Sequence, residues 1–204
     1  MMTDTRGTST LRTDARRNVD RIRAAAVEVF REQGLSASLE TVAAVAGVSK
    51  GTVFNRFGGR AGLIDAVLDD VVAAELLGVI ESTRSIPAVL ERITYYVRAL
   101  RDLQYRVPAV NDVLLQEFPD SEELMILCHA GGAIHDDLVE DGHAAGVLAQ
   151  GVTPDDLHVL TINNALALKH GARPSREDYD RRTGFVLGGI CPSAQPSAQR
   201  RSTS

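Results

Sequence analysis

The run SLETVAAVAGVSKGTVFNRF, Ser38 to Phe57, leaves few folds open. Leu39, Val42, Ala43 and Ala46 give a short stretch one apolar side at helical spacing, and Gly47 stops it. Gly47 tolerates the left-handed backbone that a tight inter-helix turn demands, and Val48 can plug the corner. Ser49 reopens a helix as its N-cap, with Val53 and Phe57 four residues apart on the inner side. Lys50, Thr52, Phe54, Asn55 and Arg56 are left for the outer side. This is the helix-turn-helix layout, whose second helix fits a duplex major groove. The free N–H groups at that helix start suit phosphate, and Asn and Arg can pair with adenine and guanine edges.

Such an element needs positive charge, yet the 204-residue chain carries a formal charge of −5. The charge is segregated. Residues 1–60 hold 10 Lys and Arg against 6 Asp and Glu, a balance of +4, and residues 61–204 hold 12 against 21, a balance of −9. Salt screens charge beyond roughly 8–10 Å, so the basic quarter acts locally and the acidic remainder should face away from DNA. Hydrophobic residues make up 44%, aromatics 4%, and Trp is absent, so aliphatic side chains must fill the core. With no β-type alternation to be found, the fold class expected is all-α.

About nine helices follow from start and stop signals. A first, Ala15 to Gln33, places Ile22, Ala25, Ala26, Val29 and Phe30 on one face. The second and third form the helix-turn-helix, and the third should stop at Gly58-Gly59. A longer helix runs from Arg60 to about Ser82. Pro87 and Pro108 suit the first turns of the fifth and sixth. Ser121, followed by Glu122 and Glu123, starts the seventh, where Gly131-Gly132 predicts a bend, a break or close packing. Thr153-Pro154-Asp155-Asp156 opens an eighth, ended by Gly171, and Ser175 opens the last, to about Ile190. The polar ends, 1–14 and 192–204, are expected to be disordered. Residues 15–60 then form a DNA-binding domain and 61–191 a larger helical domain.

Several classes of function find no support. Cys128 and Cys191 are too few for a disulfide scaffold and suit free thiols in a reducing cytoplasm. No apolar h-region opens the chain and no run reaches the ~18 apolar residues of a membrane span. Cys128, His129 and His135 do not share a face at ligand spacing, and neither HExxH nor paired CxxC occurs, so neither a metal nor any other cofactor is expected. No catalytic constellation or Gly-rich phosphate loop is recognisable, so no enzyme is expected.

Ala43 to Leu63, with the pattern AxxAGVSKGTVFNRFGGRAGL, resembles the DNA-binding domain of the TetR family of bacterial transcriptional regulators, as does the preceding AAAVEVFREQGLSASLETVA. AAGVLAQGVTPDDLHVL is similar to the C-terminal domain of one branch of that family. The resemblance implies a DNA-binding regulator, most simply a repressor on a palindromic duplex operator, released by a small-molecule effector. Carried over residue by residue, it assigns DNA contact to Ser38, Ser49, Lys50, Thr52, Phe54, Asn55, Arg56 and Arg60. It implies a homodimer through the last two helices, where Asn163, Asn164, Leu168, Phe185 and Leu187 are candidates. It also implies an effector pocket among helices four to seven, with Tyr95, Tyr96, Tyr105, Phe118, Met125, Cys128, His129 and His135 as candidates. The chain departs from the family pattern at Phe54, Arg56, Gly59 and Ala61-Gly62, which bears on the rigidity of the junction between helices three and four. Those departures leave a second reading open, a TetR-like ligand-binding or protein-interaction module without operator binding.

Overall fold

The computed structural model of the chain describes residues 6–116 and 122–192, and the side chains of all of these except 6–15, 122–124 and 128. Helices alone build the described residues: α1 (Arg6–Gln33), α2 (Leu39–Ala46), α3 (Lys50–Phe57), α4 (60–85), α5 (Val89–Arg106), α6 (Pro108–Leu114), α7 (Glu122–Ala144), α8 (Pro154–His170) and α9 (Arg176–Ile190). None is long and apolar enough to cross a membrane. Side-chain caps explain four of the helix starts. The hydroxyls of Ser38, Ser49, Thr153 and Ser175 each accept the backbone N–H three residues on, and Asp156 completes a capping box with Thr153.

α1 begins nine residues before the sequence-based start at Ala15. Polarity in 6–14 argued against an ordered segment, but that stretch has no proline to stop a helix. Pro87 lies before the Ala88 N-cap rather than inside the fifth helix. The Ser121 start and the ends 1–5 and 193–204 lie outside the described residues.

Ile22, Ala26 and Phe30 of α1 share one buried cluster with Leu39 and Val42 of α2, Val53 of α3, and Leu63, Ile64 and Val67 of α4. This buried cluster continues into the C-terminal helices through Leu68, Val71 and Val72 of α4 and Ala109, Val110 and Val113 of α6. α4 is not regular. Asp69–Ala73 is a π-helical turn in which the Ala74 N–H reaches back five residues to the Asp69 carbonyl. Such a turn leaves carbonyls without helical partners. Arg31 of α1 supplies one, its Nη1 donating to the Asp70 carbonyl at 2.8 Å.

One further polar contact fixes the N-terminal helices on the rest. Asp112 of α6, 2% exposed, accepts from the Leu35 backbone N–H and pairs with Lys169 of α8. A Cβ at Gly34 would stand 2.5 Å from the Asp112 carboxylate, so glycine permits the approach. Behind them, Gln104 of α5 donates to the Thr161 carbonyl and accepts from Asn164 of α8. Asn164 also donates to the Tyr179 hydroxyl of α9, which donates to the Arg101 carbonyl of α5.

The expected break or close packing at Gly131-Gly132 does not occur. α7 runs through both, and no atom lies within 4 Å of where either Cβ would be. Gly131→Ala should therefore stabilise the fold by up to about 1 kcal/mol, since alanine is the better helix former and meets nothing. Urea unfolding of the variant beside the parent checks this.

Candidate nucleic-acid interface and ligand cavity

α3 is held from behind and open in front. Val53 is buried, and Phe57 packs partly against the same core. Lys50, Phe54, Asn55 and Arg56 are exposed, and Asn55 and Arg56 make no hydrogen bond or ion pair among the described residues. Ser38 and Ser49 act as caps, and their hydroxyls lie 3.0 and 2.9 Å from those of Thr41 and Thr52. Thr52 is thus half-buried at the start of the recognition helix rather than on its outer row. Lys50 is not free of its own protein: its Nζ lies 2.5 Å from Glu40 Oε1 of α2, an ion pair that holds the Glu40 carboxyl below its usual range.

The α3–α4 exit resolves the departures read in the sequence. Gly59 has φ +111° and ψ −158°, a conformation essentially restricted to glycine. A Cβ there would lie 3.2 Å from Phe54 Cε2, so the Phe54 ring, 55% exposed, covers the glycine. A Cβ at Gly62 would meet the Phe57 carbonyl oxygen at 1.9 Å. The residues that looked like weak helix formers allow a close junction. Arg60 is engaged in the same region: its Nη1 donates to the Leu35 carbonyl at 2.8 Å and the Ala37 carbonyl at 2.5 Å, tying α4 to the α1–α2 loop. The sequence pattern did not reveal that role, because its partners lie more than 20 positions away.

A second feature is an interior cavity between α4, α5, α6, α7 and α8. Leu76, Ile80, Leu100 and Leu127 line it, and Gly131-Gly132 form part of the α7 wall. Its buried polar groups are Tyr96 and His135, the Tyr96 hydroxyl lying 2.8 Å from His135 Nε2. The His158 ring stands edge-on to His135 with centroids 6.2 Å apart.

A family model described as "Bacterial regulatory proteins, tetR family" matches residues 22–67, which cover most of α1, all of α2 and α3 and the first half of α4. Solved structures align along nearly their whole length. A TetR transcriptional regulator from Streptomyces coelicolor is 28% identical, with 86% of this chain and 99% of that one covered and a TM-score of 0.52. NalD, the secondary repressor of the MexAB-OprM multidrug efflux pump in Pseudomonas aeruginosa, is 22% identical, with 88% and 98% covered and a TM-score of 0.59. A bacterial regulatory protein of the tetR family from Rhodococcus RHA1 is 20% identical, with 85% and 97% covered and a TM-score of 0.61. No curated protein gives a significant match. Through residues 22–67 the chain carries the TetR-family domain of bacterial regulatory proteins. It is a DNA-binding transcriptional regulator.

Of the regulator's pocket candidates among the described residues, the structure brings only Tyr96 and His135 together. Tyr95 is exposed in a surface groove beside α9, because consecutive helical residues point about 100° apart. Tyr105 donates to the Pro174 carbonyl and lies under the Arg173 guanidinium, away from the cavity. His129 is exposed and Met125 half-buried, neither on the wall. Phe118 and the Cys128 side chain lie outside the described residues. Sequence periodicity gave no sign of His158 or Thr161, which line the cavity from α8.

The interface candidates divide likewise. Asn163 is exposed, and Phe185 is 70% exposed. Asn164 and Leu187 are buried within the protomer, Asn164 in the hydrogen bonds to Gln104 and Tyr179, so neither is available on this surface. Leu168 is half-buried along the cleft that holds Asp112. Val159 and Leu166 of α8, not picked out from the sequence, are exposed instead.

Burial pushes the His135 imidazole down to about 4, and neighbouring His158 adds to the shift. The unfolded chain takes up this proton near pH 6.5, whereas the native state resists it until about pH 4. Stability tied to His135 should thus fall as pH drops from 6.5 to 4, by on the order of 3 kcal/mol. Urea unfolding across that range should show a shallower slope in His135→Phe than in the parent.

Proposed function

We propose that the regulator is a homodimeric repressor whose two recognition helices read an inverted repeat and whose interior cavity takes the effector that releases DNA. The observation that carries the reading is the exposed row of α3, Asn55 and Arg56 beside Lys50, on a helix fixed from behind by Val53 and at its start by Ser49. In it, Asn55 and Arg56 read base edges, and Ser38, Ser49 and Lys50 approach phosphates. Phe54 packs along the backbone, Thr52 sets the helix start, and Arg60 positions the exit rather than lending its full charge. One helix reads only a few base pairs, so two heads about 34–36 Å apart give the specificity a promoter requires.

Support for a second copy comes from large apolar side chains left in water. Val159 and Leu166 lie seven residues apart, two helical turns on one α8 face with Asn163 between them, and Phe185 stands out from α9. Support for an effector comes from the cavity, which borders α4, the helix that also packs against α1 and follows the recognition helix. A ligand that fits only one α4 position shifts the population between DNA-binding and DNA-free arrangements.

Selection from random duplexes should enrich an inverted repeat, bound more weakly as salt rises because phosphate contacts release counterions. Absence of any enriched repeat would return the protein to the reading of a module without an operator. Asn55→Ala should relax preference at one position by roughly 1–3 kcal/mol. Lys50→Ala should weaken all sequences alike, and Glu40→Gln, by releasing Lys50, should tighten all of them. For the dimer, Phe185→Asp should shift sedimentation toward a single chain while leaving the helical circular dichroism intact.

A further inference from the structure

The cavity has an unmet hydrogen-bonding group. His135 is 4% exposed and lines the cavity, and its Nδ1 has no partner among the described residues. Its Nε2 is occupied by Tyr96, itself 4% exposed. Of the less buried polar groups on the wall, the half-buried Thr161 hydroxyl donates to the Leu157 carbonyl, and Gln116 and His158 are exposed. Lys, Arg, Asp and Glu are absent from the wall among the described residues.

The tautomer follows from the hydrogen bonds. Among the described residues the Tyr96 hydroxyl has one hydrogen-bond partner, His135 Nε2. A buried hydroxyl must place its proton somewhere, and Nε2 is the available acceptor. A neutral imidazole that accepts at Nε2 carries its proton on Nδ1. Nδ1–H is therefore a buried donor, already oriented and in need of an acceptor. Water serves it badly, since a buried water needs two to four polar partners and much of the wall is apolar, with Leu76, Ile80, Leu100, Val113, Leu114 and Leu127.

We propose that the cavity takes an uncharged, largely apolar molecule bearing a carbonyl-type acceptor, which receives a hydrogen bond from His135 Nδ1. This rests on reading the cavity as the effector site. A ligand without an acceptor leaves the donor unmet, and a carboxylate loses its hydration with no Lys or Arg on the wall to replace it. His158, at the rim beside His135, limits the ligand on the α8 side. Gly131 and Gly132 leave the α7 side open to its hydrocarbon part.

The test has two arms on the full chain. In the first, long-range proton–nitrogen NMR of histidine-labelled wild-type protein assigns the tautomer. Nδ1–H is expected, and an Nε2–H tautomer overturns the inference. In the second, 2-octanone, its methylene isostere 2-methyl-1-octene and octanoate are titrated by calorimetry into wild type and His135→Phe. The ketone should bind wild type about fivefold to tenfold tighter than the isostere, and the variant should lose that preference. Equal binding of ketone and isostere overturns the donor role while the cavity reading stands. Preference for octanoate overturns the uncharged class in the same way. Binding of none of the three removes the effector-cavity reading and the inference with it. If His135→Phe does not fold, the wild-type tautomer and the wild-type ratio of ketone to isostere decide.

Discussion

The carboxylate of Asp112 is the point on which the two parts of this regulator are fixed to each other. It sits on a short helix of the C-terminal domain, accepts a backbone N–H from the loop between α1 and α2, and is paired with Lys169 from α8. A carboxylate this deeply buried is tolerable only when its lone pairs are satisfied, which makes its partners interdependent. Loss of the loop amide would leave the charge short of a partner, and loss of Lys169 would leave it uncompensated. The loop itself is held on its other side by Arg60, through the Leu35 and Ala37 carbonyls. Asp112 and Arg60 therefore set the position of α2, and through α2 that of the recognition helix.

A second connection runs through charges on the surface. Arg31 of α1 pairs with Glu75 of α4, Glu75 with Arg106 of α5, Arg106 with Asp102, and Asp102 with Arg176 of α9. Partial burial pushes the carboxyls of Glu75 and Asp102 up, but the paired guanidinium groups outweigh it and hold both below their usual range. Each exposed pair contributes little, about 0–1 kcal/mol, so the series matters more for orientation than for stability. Arg31 has the added role of covering a carbonyl opened by the π-helical turn in α4. That turn divides α4 into a part packed with α1 and a part that lines the cavity.

What the sequence made legible was local. Ser38, Ser49, Thr153 and Ser175 announced helix starts because a cap is a contact over three residues, and the apolar face of α1 was visible in its spacing. Asp112 was illegible, because its partners Leu35 and Lys169 lie 77 and 57 positions away. Phe54 and Gly59 read as two separate departures, whereas in space they are one contact in which the ring covers a glycine. Asn164 and Leu187 were misplaced for a related reason. α8 and α9 carry apolar or neutral residues on several faces, and spacing cannot say which face meets α5 and which meets solvent. The cavity pair was half legible. Tyr96 and His135 could be named as types, but nothing in the chain marked them as neighbours of each other rather than of Tyr95 or His129.

The distribution of buried polar contacts separates the rigid part of the C-terminal domain from the part that can yield. Gln104, Asn164 and Tyr179 join α5, α8 and α9 through buried and partly buried hydrogen bonds, and displacing any of these helices would leave several groups unpaired. The exposed Val159 and Leu166 of α8 and Phe185 of α9 are therefore carried on a fixed base. α4 has no such anchorage to the cavity wall. Its cavity half meets the wall through Leu76 and Ile80, its ion pairs at Glu75 and between Arg84 and Asp137 of α7 are partly or largely exposed, and its π turn is one residue out of helical register. Apolar contacts are non-directional and can slide where hydrogen bonds cannot. A molecule entering between α4 and the α5–α8 base thus meets least resistance on the α4 side, and α4 begins at Arg60, whose guanidinium holds the loop below the recognition helix.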